Sequence, residues 1–440
     1  MILFFLKFYF LSLQKILFNF MELYYSFSIL IILAAIFSYI NVRFLKFPST
    51  IGIMIIALIM SIILVLLGSL TSKPLNDIAS LIKEFDFTEI LMGCMLNFLL
   101  FAGAIHINMS DLKEQRLPVI IFSTLGVIIS AIVVGAGLYY TSNYLLPLIN
   151  VHTEIPLIYC LLFGALISPT DPIAVLSILK QANVSKSLET KIAGESLLND
   201  GVAVVLFAVL ANLAYNPVVV ATGRMDLSFA HIFDLFLREA VGGLLLGAAL
   251  GYLAAYAIRT SHDYKVAVLI TLAVVMGGYL IASSLHTSAP LAMVGAGLII
   301  GESRRKLGTN KNSSVSTFWE LIDEVMNAIL FLFMGFQLLL IDDLIHYWLL
   351  GIICIIIVLF ARFISIKIPT IIIPFKEKFS KGTIAVLVWG GLRGGVSIAL
   401  ALSVPESDYK ETIIAVTYVV VVFSILVQGL TVGKVAKDIQ

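Results

Sequence analysis

Apolar runs of about 20 residues follow one another along this chain, each closed by a short stretch carrying charge, proline or asparagine. A helix rises about 1.5 Å per residue, so roughly 20 apolar residues cross the hydrocarbon layer of a bilayer. Taken run by run, the pattern predicts thirteen spans, at 24–42, 48–68, 87–107, 118–141, 156–179, 189–214, 229–258, 265–286, 289–302, 317–341, 345–374, 382–404 and 411–433. Two of them carry interruptions. In the fifth, Ser168-Pro169-Thr170-Asp171-Pro172 places two prolines three residues apart, and each removes a backbone donor and strains the preceding turn. In the twelfth, Gly390-Gly391-Leu392-Arg393-Gly394-Gly395 surrounds an arginine with four glycines, which weaken a helix and admit close neighbours. The interrupted spans stand fifth in the run 1–6 and fifth in the run 8–13, with the seventh as connector. The second run therefore starts on the opposite side of the membrane from the first. The expected fold is an all-α polytopic membrane protein of about 13 transmembrane helices, built from inverted repeats whose broken helices 5 and 12 cross near the midplane.

Composition agrees with the pattern. Of the 440 residues, 60% are hydrophobic and only 12% charged, with a mean hydropathy of +1.06; soluble domains carry about 25% charged residues. A formal net charge of +1 with no basic tract argues against a nucleic-acid partner. Cys94, Cys160 and Cys354 each sit in an apolar run without paired spacing, so they read as packing residues. Loops on one side of the predicted topology hold 18 of the lysines and arginines, and loops on the other hold 5. The positive-inside rule then places the C-terminus in the cytoplasm and the start of the first span outside. Residues 1–20 read either as a leader or as an upstream extension before a second start at Met21, and no function is drawn from them. Function is expected to reside in the bundle itself.

Charges that cannot reach an interface are functional candidates. They are Asp171 in ISPTDPIAVL, Glu195 and Asp200 in GESLLND, and Arg393 in WGGLRGGVSIAL. In a bilayer, the carbonyls and amides freed at 168–172 must line a polar cavity or be buried against protein. On the sixth span Ser196 and Asp200 stand at i, i+4 and share a face, while Glu195 and Asn199 form a second such pair one position around. Asp200 with Ser196 is expected to face an ion and Glu195 a fixed partner. Arg393 is the expected partner, because a buried guanidinium needs a carboxylate. Other features read as packing: GAGLIIG at 295–301 lacks the strand that a nucleotide loop requires, and Gly243, Gly247 and Gly251 form overlapping GxxxG steps.

SPTDPIAVLSIL, GESLLNDGVAVVLF and GLRGGVSIALALS, in this order, resemble the bacterial monovalent cation/proton antiporters of the NhaP type, related to eukaryotic sodium/proton exchangers. The resemblance extends from about Phe44 to the last span. It implies a homodimer in the bacterial inner membrane. An ion-transporting core (112–225 and 342–440) would move against an interface domain (21–111 and 262–341), with 226–261 as the connecting helix. It also implies that Asn199-Asp200 is the ion site, supported by Thr170, Asp171 and Ser196, and that Glu195 and Arg393 form a structural ion pair. Asparagine rather than a second aspartate implies electroneutral exchange. Some relatives place a glutamate in the third span, where this chain has Ala102. The implied activity is exchange of Na⁺ or Li⁺ for H⁺ without cofactor or enzymatic chemistry. Sodium would be held by Asp200, Ser196, Thr170 and carbonyls of the broken fifth helix, with proton and cation competing for Asp200. K⁺/H⁺ exchange is the main alternative and a passive cation channel a weaker one; a GxGD aspartyl protease motif is absent.

Overall fold

The computed structural model describes residues 27–68, 91–149, 154–172, 175, 176, 179, 184–215, 229–261, 263–307, 311–341, 344–375 and 379–437. All of these are helix, turn or connection, with no strand among the described residues. Residues 1–20, the starts of the first and third predicted spans, and six of the lysines and arginines counted in the loops (Lys73, Lys83, Lys180, Arg224, Lys376 and Lys378) lie outside them.

In chain order the main helices are α1 (Phe27–Leu45), α2 (Ser49–Gly68), α3 (Leu91–His106), α4 (Arg116–Leu145), α5 (Leu157–Ile167), α6 (Lys186–Ala214) and α7 (Phe229–Thr260). They continue with α8 (Tyr264–Ser284), α9 (Ala289–Leu307), α10 (Lys311–Phe336), α11 (Leu344–Ile372), α12 (Lys381–Trp389), α13 (Gly395–Leu402) and α14 (Lys410–Lys437). Among the described residues nine helices are long and apolar enough to cross a membrane: α1, α2, α4, α6, α7, α8, α10, α11 and α14. The other predicted spans differ for local reasons. Residues 69–90, before Leu91, are outside the described set, α5 stops at the first proline, α9 ends in Glu302, Arg304, Arg305 and Lys306, and the twelfth span divides into α12 and α13 at its glycines.

The chain forms two compact units. One comprises residues up to Phe87 together with Asn327–Asp342. Here Asn41 closes the α1–α2 turn, its amide donating to the Phe47 carbonyl (2.9 Å) and accepting from the Phe47 N–H (3.2 Å). Ser61 of α2 donates to the Gly335 carbonyl at 2.9 Å, and a side chain on Gly335 would press on the α2 backbone, 3.0 Å from Leu58 N and Met54 O.

The other unit holds Thr88–Met326 and Asp343–Gln440. Its central helix is α6, in which 72% of the most apolar window is buried, against 33% in α7 and α8. Ser185 caps α6 by accepting from Leu188 N–H, and Glu189 lies in the first turn, where the helix dipole favours a negative charge. The GxxxG steps of α7 allow backbone contact with α9: a Cβ on Gly243 would lie 2.5 Å from Ser288 O, and one on Gly251 2.9 Å from Ala296 Cα. GAGLIIG is packing on both sides of α9, since Gly295 abuts Leu244 of α7, while Gly297 and Gly301 abut Phe101 and Ile105 of α3. Beside it Trp319, fully buried, donates to Thr271 Oγ1 at 3.0 Å and packs on Phe101 with ring centroids 4.6 Å apart.

Candidate ion-binding site

The two interruptions predicted from proline and glycine meet in the second unit. After Ile167 the chain leaves helical geometry through Pro172, and after Trp389 it does so until Gly395. In an unbroken helix the Ser168 carbonyl would accept from residue 172, but Pro172 has no N–H. Arg393 fills the gap: its Nη1 donates to Ser168 O at 2.5 Å and Pro169 O at 3.0 Å. The amide N–H groups are placed as well. Thr170 donates to Asn199 Oδ1 (3.4 Å), and Asp171 donates to Leu392 O (2.8 Å), a direct bond from one interruption to the other. On the second stretch, Arg393 N–H donates to Ser424 Oγ at 2.9 Å, and Gln428 Nε2 donates to Trp389 O at 3.0 Å. Ser424 and Gln428 bound a widened turn within α14, a feature frequent at functional sites. Each backbone group named here would otherwise be a buried polar atom costing about 1–3 kcal/mol.

α6 supplies the other half. Asn199 Nδ2 donates to Thr170 Oγ1 at 2.8 Å, and Thr170 Oγ1 lies 3.0 Å from Ser196 Oγ. Thr170 Oγ1 accepts from Asn199, and either hydroxyl of the Thr170–Ser196 pair can donate to the other. Asn199 thus spends both amide ends on Thr170 and fastens the interruption to α6. One turn beyond Ser196 stands Asp200, buried at 8% exposure. No cation or hydrogen-bond donor among the described residues pairs with its carboxylate. Asp171 is half-buried and lies beside Gly394: a Cβ there would be 2.5 Å from Asp171 Oδ2. Ala102 is fully buried in α3 and provides no ligand atom beyond its backbone.

One expectation needs correcting. Glu195 pairs with Arg362 of α11, Nη1 to Oε1 at 2.5 Å with side chains 8% and 1% exposed, whereas Arg393 donates to the carbonyls of Ser168 and Pro169. The reason lies in the α12 terminus. Leu387 O would accept from Gly391 in a continuing helix, but Gly391 N–H turns to Val388 O instead. Arg362 takes up this carbonyl with Nε (3.2 Å) and Nη2 (3.0 Å), and its remaining nitrogen reaches Glu195. Gly391 makes the approach possible, since a Cβ there would lie 2.6 Å from Arg362 Nε. Each arginine therefore satisfies carbonyls left by one interruption. Arg362 lies in the predicted eleventh span, and a guanidinium inside an apolar run was a signal equal to that of Arg393.

Residues 30–437 match the family model described as sodium/hydrogen exchanger, transmembrane. A protein of Pseudomonas aeruginosa named Na⁺/H⁺ antiporter NhaP is 44% identical over 423 residues, covering 93% of this chain and 95% of its own length. The Na⁺/H⁺ antiporter NhaH of Halobacillus aidingensis is 34% identical, covering 94% and 97%. In fold, the chain is similar to the sodium proton antiporter MjNhaP1 of Methanocaldococcus jannaschii, with a TM-score of 0.73 at 20% identity over 96% of this chain and 99% of that one. With most of its length matched by the family model and by relatives of more than 30% identity, this multi-pass membrane protein belongs to the transmembrane sodium/hydrogen exchanger family.

Proposed function

We propose that the chain exchanges Na⁺ for H⁺ across the bacterial inner membrane, one ion for one proton, by alternate occupation of Asp200. The observation that carries the reading is the burial of Asp200 without a cationic partner among the described residues. Around the two interruptions the polar centre holds three carboxylates (Asp171, Glu195, Asp200) and two guanidiniums (Arg362, Arg393), a sum of −1, while Lys191, buried one turn before Glu195, lies with its ammonium over the Phe379 ring. A proton or a monovalent cation on Asp200 brings that sum to zero; both together would make it +1. Moving a bare charge through low dielectric costs several kcal/mol, so a neutral centre moves and a charged one stays. The two ligands then compete, and coupled exchange without leak follows.

Sodium prefers oxygen ligands, and the Asp200 carboxylate, Ser196 and Thr170 hydroxyls and the nearby interruption offer them; Asp171 and Asn199 hold that interruption in place. Thirteen spans in inverted repeats, a core moving against an interface domain, a homodimer and a cytoplasmic C-terminus belong to the same reading, which the sequence similarity and the loop charge bias support. Dequenching of a pH-sensitive dye in everted vesicles tests it: Na⁺ should elicit a response with the unaltered chain and none with Asp200→Asn at equal membrane abundance. A full response from the variant refutes the role of Asp200, and a response to K⁺ equal to that with Na⁺ reassigns the cation.

A further inference from the structure

Away from the ion site, at the end of the bundle where α12 begins and α11 and α14 end, lies a cavity of about 400 Å³. Phe363 and Lys367 of α11 face it, together with Lys381, Ile384, Val388 and Trp389 of α12. Phe363 and Lys367 stand at i, i+4, and the α12 residues at i, i+3, i+7 and i+8, so each helix presents one stripe to the cavity. The stripe on α12 runs about 12 Å from its lysine to its tryptophan. Lys367 is half-buried and Lys381 exposed, and neither forms an ion pair with a described residue.

The walls have the polarity of an amphiphile. Two ammonium groups serve an anionic head, and the apolar stripe beyond them serves a hydrocarbon chain. A small soluble anion would leave that stripe uncovered, a cationic amphiphile would be repelled, and a zwitterionic lipid would gain less from the lysines. We propose that the cavity binds an anionic phospholipid of the surrounding membrane, its phosphate held by Lys367 and Lys381 and an acyl chain lying along α12 to Trp389. An occupant there braces the helix whose Leu387 carbonyl holds Arg362 and whose end leads to Arg393.

Trp389 reports the site directly. Trp348 is 55% exposed and would report bulk lipid, while Trp319 is fully buried, so the purified full chain is used as its Trp348→Phe variant. Phosphatidylglycerol with brominated acyl chains should quench its emission saturably at about thirtyfold lower concentration than brominated phosphatidylcholine, the difference expected for two lysines at a headgroup. Lys367→Gln/Lys381→Gln should abolish that preference, and Lys367→Arg/Lys381→Arg should keep it. Equal quenching by the two lipids overturns the proposal without recourse to any lysine variant. So does a preference that survives the glutamine pair or Trp389→Phe, or displacement by free glycerol phosphate at the concentration at which the lipid binds.

Discussion

At the scale of single residues, the proposed chemistry turns on a carboxylate with no cationic partner among the described residues and another that has one. Asp200 and Glu195 are five positions apart on α6 and both buried, yet only Glu195 meets a guanidinium. If proton and cation compete for Asp200 as proposed, the apparent affinity for Na⁺ depends on pH. In reconstituted vesicles, the half-saturating Na⁺ concentration should rise by up to about tenfold per unit of acidification once the proton dominates, the slope expected for one displaced proton. A pH-independent value would rule out a shared site. For the ion pair, Glu195→Gln alone should cost roughly 3–5 kcal/mol, because Arg362 is left buried and uncompensated. Glu195→Gln combined with Arg362→Met should cost less than the two single changes added together, and thermal melts of the four proteins measure this coupling. The corresponding cycle with Arg393 should be closer to additive, since that arginine donates to carbonyls.

At the scale of elements, proline ends one helix and glycine separates two others, and the resulting backbone groups become the framework of the candidate site. Gly394 is a sensitive point, because its Cα faces the Asp171 carboxylate. Its φ of −126° with ψ of −159° is extended backbone that alanine adopts freely, so Gly394→Ala tests contact rather than strain. It should displace Asp171 and lower exchange at least about tenfold, while the melting temperature falls by no more than a few degrees, as for an overpacking change of ~1–3 kcal/mol. Gly164 makes the opposite comparison. It packs against the Ala131 backbone, where α4 and α5 touch, and lies outside the ion site. Gly164→Val should reduce thermal stability more than Gly394→Ala does.

At the scale of the whole molecule, the charge of the polar centre sets the electrical behaviour in the proposed mechanism. If the centre moves only when neutral, exchange transfers no net charge. The rate of Na⁺-driven proton movement in proteoliposomes should then be the same with and without an imposed potassium-diffusion potential. A rate that changes several-fold with a potential of 100 mV, which is worth ~2.3 kcal/mol per charge moved, would require a second proton or a charged crossing.

Much of this was legible in one dimension because a bilayer restricts the alternatives. Long apolar runs had to be helices, Pro169 and Pro172 had to end one, and Asp171, Glu195, Asn199 and Asp200 had to be stabilised by something specific. The i, i+4 spacing placed Ser196 and Asp200 on a common face before any contact was visible. The partners were another matter. Arg362 and Arg393 are both guanidiniums in apolar surroundings, and spacing along the chain does not say which one approaches Glu195. That choice followed from the orphan carbonyls, Leu387 drawing Arg362 and Ser168 drawing Arg393, which come within reach of those arginines only once the two interruptions lie side by side. Helix boundaries and buried polar residues follow from local sterics and solvation, which the sequence carries in full; the pairing of distant charges follows from distance, and distance is a property of the folded chain.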